Sequence, residues 1–294
     1  MKDTRIVLSA LAYLAASSLS LVAQYSAYLP QSRELLVSPQ YLYQSFDHLH
    51  AGTQRFSLGD LGLEGRLQQH TVQMALEYGI ISRLAIDSTF GHVSVRLPAR
   101  SLEGMTDTSL GLRYCLIDEL KQENGLPTVS VRLGGILAGS YPTPIGLPPT
   151  NPGDGASGFE TVALFGKSLG STGVTLYGDL GYRNRSQGVP EDLFGTAGVA
   201  YEPWRWLLLS AAYRHEQSLS GIDILGPGFT GDFRVVKEIN RIVEFGVAFT
   251  DRRGRSVSLV GAFNVGGRNT GEKTILGISL TLPFELASPQ VKHR

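Results

Sequence analysis

The sequence predicts an all-β protein, a closed antiparallel up-and-down barrel of twelve strands that crosses a membrane. Three observations predict it. From about Leu35 onward apolar side chains recur at every second position, which is the strand period. The connections alternate between short turns and long Gly/Pro/Asn-rich loops. The composition is rich in glycine and poor in charge: 35 of 294 residues are glycine and 18% are charged, against averages of roughly 7% and 25%.

The N-terminus comes first. Lys2 and Arg5 precede an apolar, small-residue run from Ile6 to Ala23. A basic flank, a short apolar stretch and a small residue at its end predict an export signal peptide over 1–23, cut after Ala23. The competing reading is a membrane-anchoring helix; Ser9, Ser17, Ser18 and Ser20 and the lack of a positive stop-transfer flank argue against it. No later window holds 18 uninterrupted apolar residues, so a membrane-embedded form of the chain has only a closed barrel available.

Strands are expected near 35–46, 69–79, 82–95, 105–117, 127–140, 157–168, 172–184, 192–202, 205–217, 239–250, 255–265 and 272–284. The first is interrupted by Pro39, and 47–68 after it has no clear period. In the second, Val72, Met74, Leu76 and Tyr78 oppose Gln73, Glu77 and Gly79. Parity slips in the third, where Leu84, Ile86 and Phe90 give way to Val93 and Val95; a bulge at Gly91 or a strand rising clear of the membrane explains this. Further on, Val129, Val131, Leu133 and Leu137 oppose Ser130, Arg132 and Gly134, and Val174, Leu176, Leu180 and Tyr182 oppose Thr175, Tyr177, Asp179 and Arg183. Leu207, Leu209, Ala211 and Tyr213 oppose Ser210, Ala212 and Arg214. Val243, Phe245, Val247 and Phe249 face away from Glu244, Gly246 and Ala248, and Val257, Leu259 and Phe263 from Ser256, Ser258 and Ala262. The last strand is the cleanest, with Leu276, Ile278, Leu280, Leu282 and Phe284 on one face.

A soluble sandwich also alternates. Loop lengths separate the cases. With an even strand number both termini lie on one side, and the short turns at Gly79–Ser82, Ser168–Thr172, Glu202–Trp204 and Asp251–Gly254 all fall there. The long stretches Tyr141–Ser157 and Ser218–Lys237 fall on the other, the arrangement of outer-membrane barrels. Tyr78, Phe90, Tyr114, Phe159, Tyr182, Tyr201, Trp204, Trp206 and Phe284 near strand ends suit interfacial girdles.

The segment Gly104-Met-Thr-Asp-Thr-Ser-Leu-Gly-Leu-Arg-Tyr114, with Asp107, Gly111, Arg113 and Tyr114, resembles the outer-membrane proteins of the MetA-pathway-of-phenol-degradation family. The resemblance continues through Leu126-Pro127, Val129, Val131, Arg132 and Gly134 to Tyr141-Pro142-Thr143, then Gly153-Asp154-Gly155, Phe159, Leu180-Gly181-Tyr182 and Gly195-x-Ala197. It covers roughly 70–284 and departs at Pro144, where the family has glycine. It implies a porin or transporter for passive uptake of small molecules, hydrophobic or aromatic compounds among them. The closing pattern Ile278-x-Leu280-x-Leu282-x-Phe284 resembles the barrel-assembly signal and implies insertion by the β-barrel assembly machinery, with Glu285–Arg294 left as a tail.

Parity places Glu77, Arg83, Asp87, Arg113, Arg132, Asp179, Arg183, Arg214 and Glu244 on the lumen wall. Both signs occur, so the lining is neither an anion nor a cation filter; the charges either border a wet pore or pair across the lumen and fill it. The function expected is a porin-like outer-membrane transporter of small molecules, with membrane lipid and a small permeant as partners. Its alternatives are a structural or adhesive barrel with a plugged lumen and a lipid-modifying enzyme. For the enzyme, His215 and Ser218 point to opposite faces of a strand, and His92 and Ser94 share a face without an acidic or amide partner nearby. His48-x-His50 beside Asp47 could ligate a metal but reads more simply as a solvated loop. No cofactor is called for. One cysteine, Cys115, excludes an intramolecular disulfide, and 26 basic against 26 acidic residues exclude a nucleic-acid binder.

Overall fold

The computed structural model describes residues 26–61, 65–97, 100–121, 125–142, 153–224 and 226–286. The predicted signal peptide, Pro144 and most of the tail after Glu285 lie outside them. Among the described residues the strands are β1 Glu34–Phe46, β2 His48–Ala51, β3 Gln54–Ser57, β4 Leu67–Ile81, β5 Leu84–Leu97, β6 Arg100–Met105, β7 Thr108–Ile117, β8 Thr128–Leu137, β9 Gly158–Ser168, β10 Val174–Arg185, β11 Asp192–Trp204, β12 Leu207–Ser218, β13 Ile239–Thr250, β14 Ser256–Arg268 and β15 Thr274–Glu285.

Twelve of them, β1, β4, β5 and β7 to β15, form a closed antiparallel barrel. Each pairs with its neighbour in chain order, and β1 closes the ring on β15 from Glu34↔Glu285 to Ser45↔Thr274. Closure leaves no sheet edge to be satisfied by lipid, which is the condition for a sheet to cross a membrane. The outward face is apolar and exposed, for example Leu133, Leu180, Phe245, Leu276 and Ile278. That belt, with aromatic side chains at both of its rims, places the protein in a bacterial outer membrane. No helix of the described residues is long and apolar enough to cross a membrane.

Two irregularities noted in the sequence have structural explanations. Pro39 lacks an N–H, and its break falls on one side only: β1 pairs with β15 at Val37↔Leu282 and again at Gln40↔Ser279, while Pro39↔Met74 is kept on the β4 side. There is no bulge at Gly91. The β4–β5 register runs unbroken from Gln68↔Arg96 to Gly79↔Ala85, so Val93 and Val95 stay on the same inner face as Asp87. The strand rises clear of the membrane, where its outer positions become His92, Ser94 and Arg96. The fourth expected strand is divided into β6 and β7 by Thr106 and Asp107.

The patternless stretch after β1 folds over the outer mouth. The β2–β3 hairpin is tied to the β14–β15 connection by the Leu49↔Gly271 bridge and by His50 N–H donating to the Thr270 carbonyl (2.8 Å). Phe46, Leu49, Leu58, Val93, Val95, Tyr141, Ile224 and Val236 form one buried apolar cluster there, joining the hairpin, the upper wall and the β12–β13 loop.

Candidate functional site

The inner wall of the barrel has two sides. On one, from β4 to β12, charged side chains alternate in sign along an oblique line. Glu77 on β4 pairs with Arg113 on β7, whose Nε also stands 3.4 Å from Asp87 on β5. Arg132 on β8 donates from Nε (2.9 Å) and Nη2 (2.7 Å) to Asp87 Oδ1, from Nη1 to Glu160 Oε1 (2.6 Å) and from Nη2 to Ser109 Oγ (2.8 Å). Arg183 on β10 continues the line, donating to Glu160 (3.3 Å) and to Glu216 on β12 (3.0 Å), with its guanidinium 4.7 Å from the centre of the Phe194 ring. Arg113 and Arg132 are wholly buried. Such charges are tolerable out of bulk water only when paired and hydrogen-bonded, as these are. Gly111 and Gly134 make the arrangement possible: a Cβ at either position would collide with the Arg132 guanidinium.

Across β4, β1, β15 and β14 the wall carries neutral groups. Gln73 donates to Gln40 (2.6 Å), Gln44 to Gln69 (3.3 Å) and Ser38 to Thr281 (3.1 Å) across β4, β1 and β15. Ser256, Ser258 and Ser279 continue it on β14 and β15 among the alanines and glycines of those strands. Amides and hydroxyls thus stand opposite a chain of paired charges, three arginines among four carboxylates.

A short stretch of chain enters this lumen from the side on which both termini lie. Ser26, Ala27 and Tyr28 are buried against the wall. Arg113 Nη1 donates to the Ser26 carbonyl (2.9 Å), Ser130 Oγ to the Ala27 carbonyl (2.6 Å) and Tyr28 Oη to Glu119 Oε1 (2.6 Å). Ala27 packs with Val162, Leu164 and Phe194, and Gly166 leaves room for the Tyr28 ring.

At the outer mouth, residues that carry the family resemblance converge. Asp107 accepts from Gly139 N–H (2.8 Å) and from Tyr141 Oη (2.9 Å), and Tyr141 Oη accepts from Gly155 N–H (2.7 Å). Arg185 pairs with both Asp107 (3.1 Å) and Asp154 (2.7 Å). A second knot is centred on Asn269, which holds a left-handed φ of 52° and is almost wholly buried. Its Oδ1 accepts from Gly52 (2.6 Å) and Ile224 (3.0 Å) N–H groups, and its Nδ2 donates to Asp223 (2.8 Å) and to the Lys237 carbonyl (2.7 Å). Hydrogen bonds from Arg268 and Asn269 hold the Asp223 carboxyl below the ordinary range, and Arg55 does the same for Glu272. Burial pushes Glu238, just before β13, up to about 7.

Of the residues predicted to line the lumen, Glu77, Asp87, Arg113, Arg132 and Arg183 belong to the charge chain. Asp179, Arg214 and Glu244 also lie on the inward parity, on β10, β12 and β13. Arg83 does not: it occupies the tight β4–β5 turn and is exposed, because β4 ends at Ile81 and β5 begins at Leu84. Glu160 and Glu216 were missed: Glu216 shares parity with the predicted inward residue Arg214, whereas the strand carrying Glu160 was not oriented from the sequence. His48 and His50 sit on a strand and not in an open loop; His48 pairs with Asp47 (2.8 Å) and His50 with Glu272 (3.4 Å). Among the described residues no group of three His, Cys, Asp or Glu side chains is placed to hold a metal ion. Ser218 Oγ donates to Asp192 (2.9 Å), away from His215, which faces Gln217.

The fold and its lining define an outer-membrane β-barrel with a polar lumen. No family model matches the sequence, and no curated protein does. Among solved structures, the chain is similar to the COG4313 outer membrane channel from Pseudomonas putida F1, with a TM-score of 0.67 at 14% identity, over 90% of this chain and 99% of that one. The translocator domain of the autotransporter NalP from Neisseria meningitidis aligns with a TM-score of 0.48 at 11% identity over 97% of each chain. The Pseudomonas putida toluene transporter TodX aligns with a TM-score of 0.41 at 12% identity over 92% of each.

Proposed function

We propose that this protein is a passive, porin-like channel for small molecules and belongs to the MetA-pathway-of-phenol-degradation family. The observation that carries the reading is the inner wall: a closed ring of twelve strands whose inward side chains include amides, hydroxyls and a chain of paired charges. A wall of that kind suits small solutes without strong selection by charge. The similar barrel from Pseudomonas putida, named an outer membrane channel, supports the same reading. Uptake of hydrophobic or aromatic compounds rests on the family resemblance alone. Residues 1–23 act as the export signal, so the mature chain begins two residues before the segment that enters the lumen. The β-barrel assembly machinery inserts it through β15. Ser26–Tyr28 on the near side and the described part of the 218–237 loop on the far side narrow the path; most of the 141–157 loop lies outside the described residues.

The burial of Ser26–Tyr28 in the lumen also favours a second reading, a plugged structural barrel. Single-channel recording of refolded residues 24–294 in planar bilayers separates the two. Discrete conductance steps, blocked by permeants, support the channel. A folded, inserted and silent protein supports the plugged barrel.

A further inference from the structure

On the outer surface, at the end of the barrel where both termini lie, is a groove of about 630 Å³. This falls within the roughly 300–1,000 Å³ of small-molecule sites. Its origin is a mismatch in strand length. The β14–β15 ladder ends at Ser256↔Thr281, but β15 runs on to Glu285, so Leu282 overhangs beside the β13–β14 turn. Trp206, Phe249, Val257, Leu280 and Leu282 make its apolar floor on the lipid-facing side. Trp206 stacks on Trp204 (5.4 Å between ring centres) and on Phe249 (6.1 Å), so this floor is rigid.

Charge is distributed to match. Asp251 and Arg255 line the groove, Arg252 and Arg253 lie between them in the β13–β14 turn, and Arg205 directly precedes the lining residue Trp206 in the β11–β12 turn, whose Trp206 carbonyl accepts from Thr250 N–H (3.0 Å). Asp251 is the acid among the lining residues. Asp251 is already engaged, accepting from Arg255 Nε (2.7 Å) and from the Arg253 and Arg255 N–H groups. Arg205, Arg252 and Arg253 are exposed. The turn on the opposite side of the barrel, between β7 and β8, carries Asp118 and Glu119, paired with Lys121 (2.9 Å) and Lys167 (3.1 Å).

We propose that this groove binds an anionic glycerophospholipid of the inner leaflet, its phosphate held by Arg252, Arg253 and Arg205 and an acyl chain laid on the Trp206–Leu282 floor. Arginines beside an aromatic floor at the membrane boundary supply both halves of that recognition. The planar guanidinium binds phosphate oxygens in pairs, and the apolar floor takes the chain that an inorganic anion lacks.

The test uses the protein's own probes. The chain has two tryptophans: Trp206 lines the groove and Trp204 stacks on it. The mature protein is refolded into phosphatidylcholine vesicles containing acyl-brominated phosphatidylglycerol or acyl-brominated phosphatidylethanolamine, and tryptophan quenching gives relative binding. Phosphatidylglycerol is expected to bind at least fivefold more tightly than phosphatidylethanolamine. Arg252→Gln with Arg253→Gln, which leaves the Asp251–Arg255 pair intact, should bring the ratio to about one without altering the heat-modifiable migration of the folded barrel. Equal quenching by the two lipids in the native protein overturns the proposal, as does a preference that survives in the double variant. Inorganic phosphate that displaces phosphatidylglycerol at equal concentration also overturns it, because the site would then bind an anion and not a lipid.

Discussion

Releasing Ser26–Tyr28 from the lumen should be a measurable equilibrium, and two side chains set its position. Tyr28→Phe removes one hydrogen bond to a carboxylate, and Ser130→Ala removes one between neutral groups. Bonds to charged groups contribute about 1.5–3 kcal/mol and neutral ones about 0.5–1.5. Glu119 keeps its other partners, accepting from Ser168 N–H (3.0 Å) and pairing with Lys167 (3.1 Å), so the tyrosine change belongs at the low end of its range. The two together should cost the docked segment about 2 kcal/mol, which is roughly a 30-fold shift toward release. Ejection is not complete, because the Arg113 contact to Ser26 and the packing of Ala27 on Val162, Leu164 and Phe194 remain. Single-channel open probability and hydrogen exchange of residues 26–30 read the two consequences separately. Exchange that stays as slow as in the native protein refutes the energetic argument. Faster exchange with unchanged conductance refutes the role of the segment in narrowing the path.

Other perturbations have equally definite outcomes. Arg132→Met takes one cation from between Asp87 and Glu160, which keep their pairs with Arg113 and Arg183; about 3 kcal/mol of stability should be lost in urea titrations of vesicle-refolded protein, and a neutral result would mean the charge chain is hydrated and replaceable. Arg113→Ala with Arg132→Ala should raise single-channel conductance if these residues constrict the lumen, and unchanged conductance places the constriction elsewhere. Glu238 has a folded-state pKa of about 7, above its ordinary 4.5. Its protonated form therefore favours the closed cap fully below pH 4.5, and that support fades as pH rises to about 7. Hydrogen exchange in 219–238 should accelerate across this window in the native protein and lose that pH dependence in Glu238→Gln. Deleting Gly277–Arg294 removes β15 beyond Leu276 and with it most of both closing ladders, to β1 and to β14, so membrane insertion should be abolished.

What the sequence made legible follows from one physical fact. Every barrel strand has lipid on one side and polar lumen on the other, so each strand writes its orientation into the chain with period two. That is why Leu276–Phe284, Val257–Phe263 and Phe245–Phe249 could be oriented residue by residue, and why five of the nine predicted lumen residues fall in a single charge chain. The same rule failed where lipid no longer enforces it. Above the membrane, Val93 and Val95 are inward because the apolar cap replaces the wet lumen, so a regular strand looked like a slipped one. Arg83 was misplaced because parity cannot tell the last strand residue from the first turn residue. Ser26–Tyr28 has no period at all: it is held by its backbone carbonyls and one phenol, and main-chain acceptors carry no trace in composition. The cap is equally silent for the opposite reason, since Asn269 ties Gly52, Ile224, Asp223 and Lys237 across three loops far apart in the chain. Period two thus reports the wall of a barrel and nothing of what is folded into it. Whether this wall encloses a path or a filled core is decided by the aperiodic pieces at its two ends, and the tests on Tyr28, Ser130 and Glu238 are aimed at those.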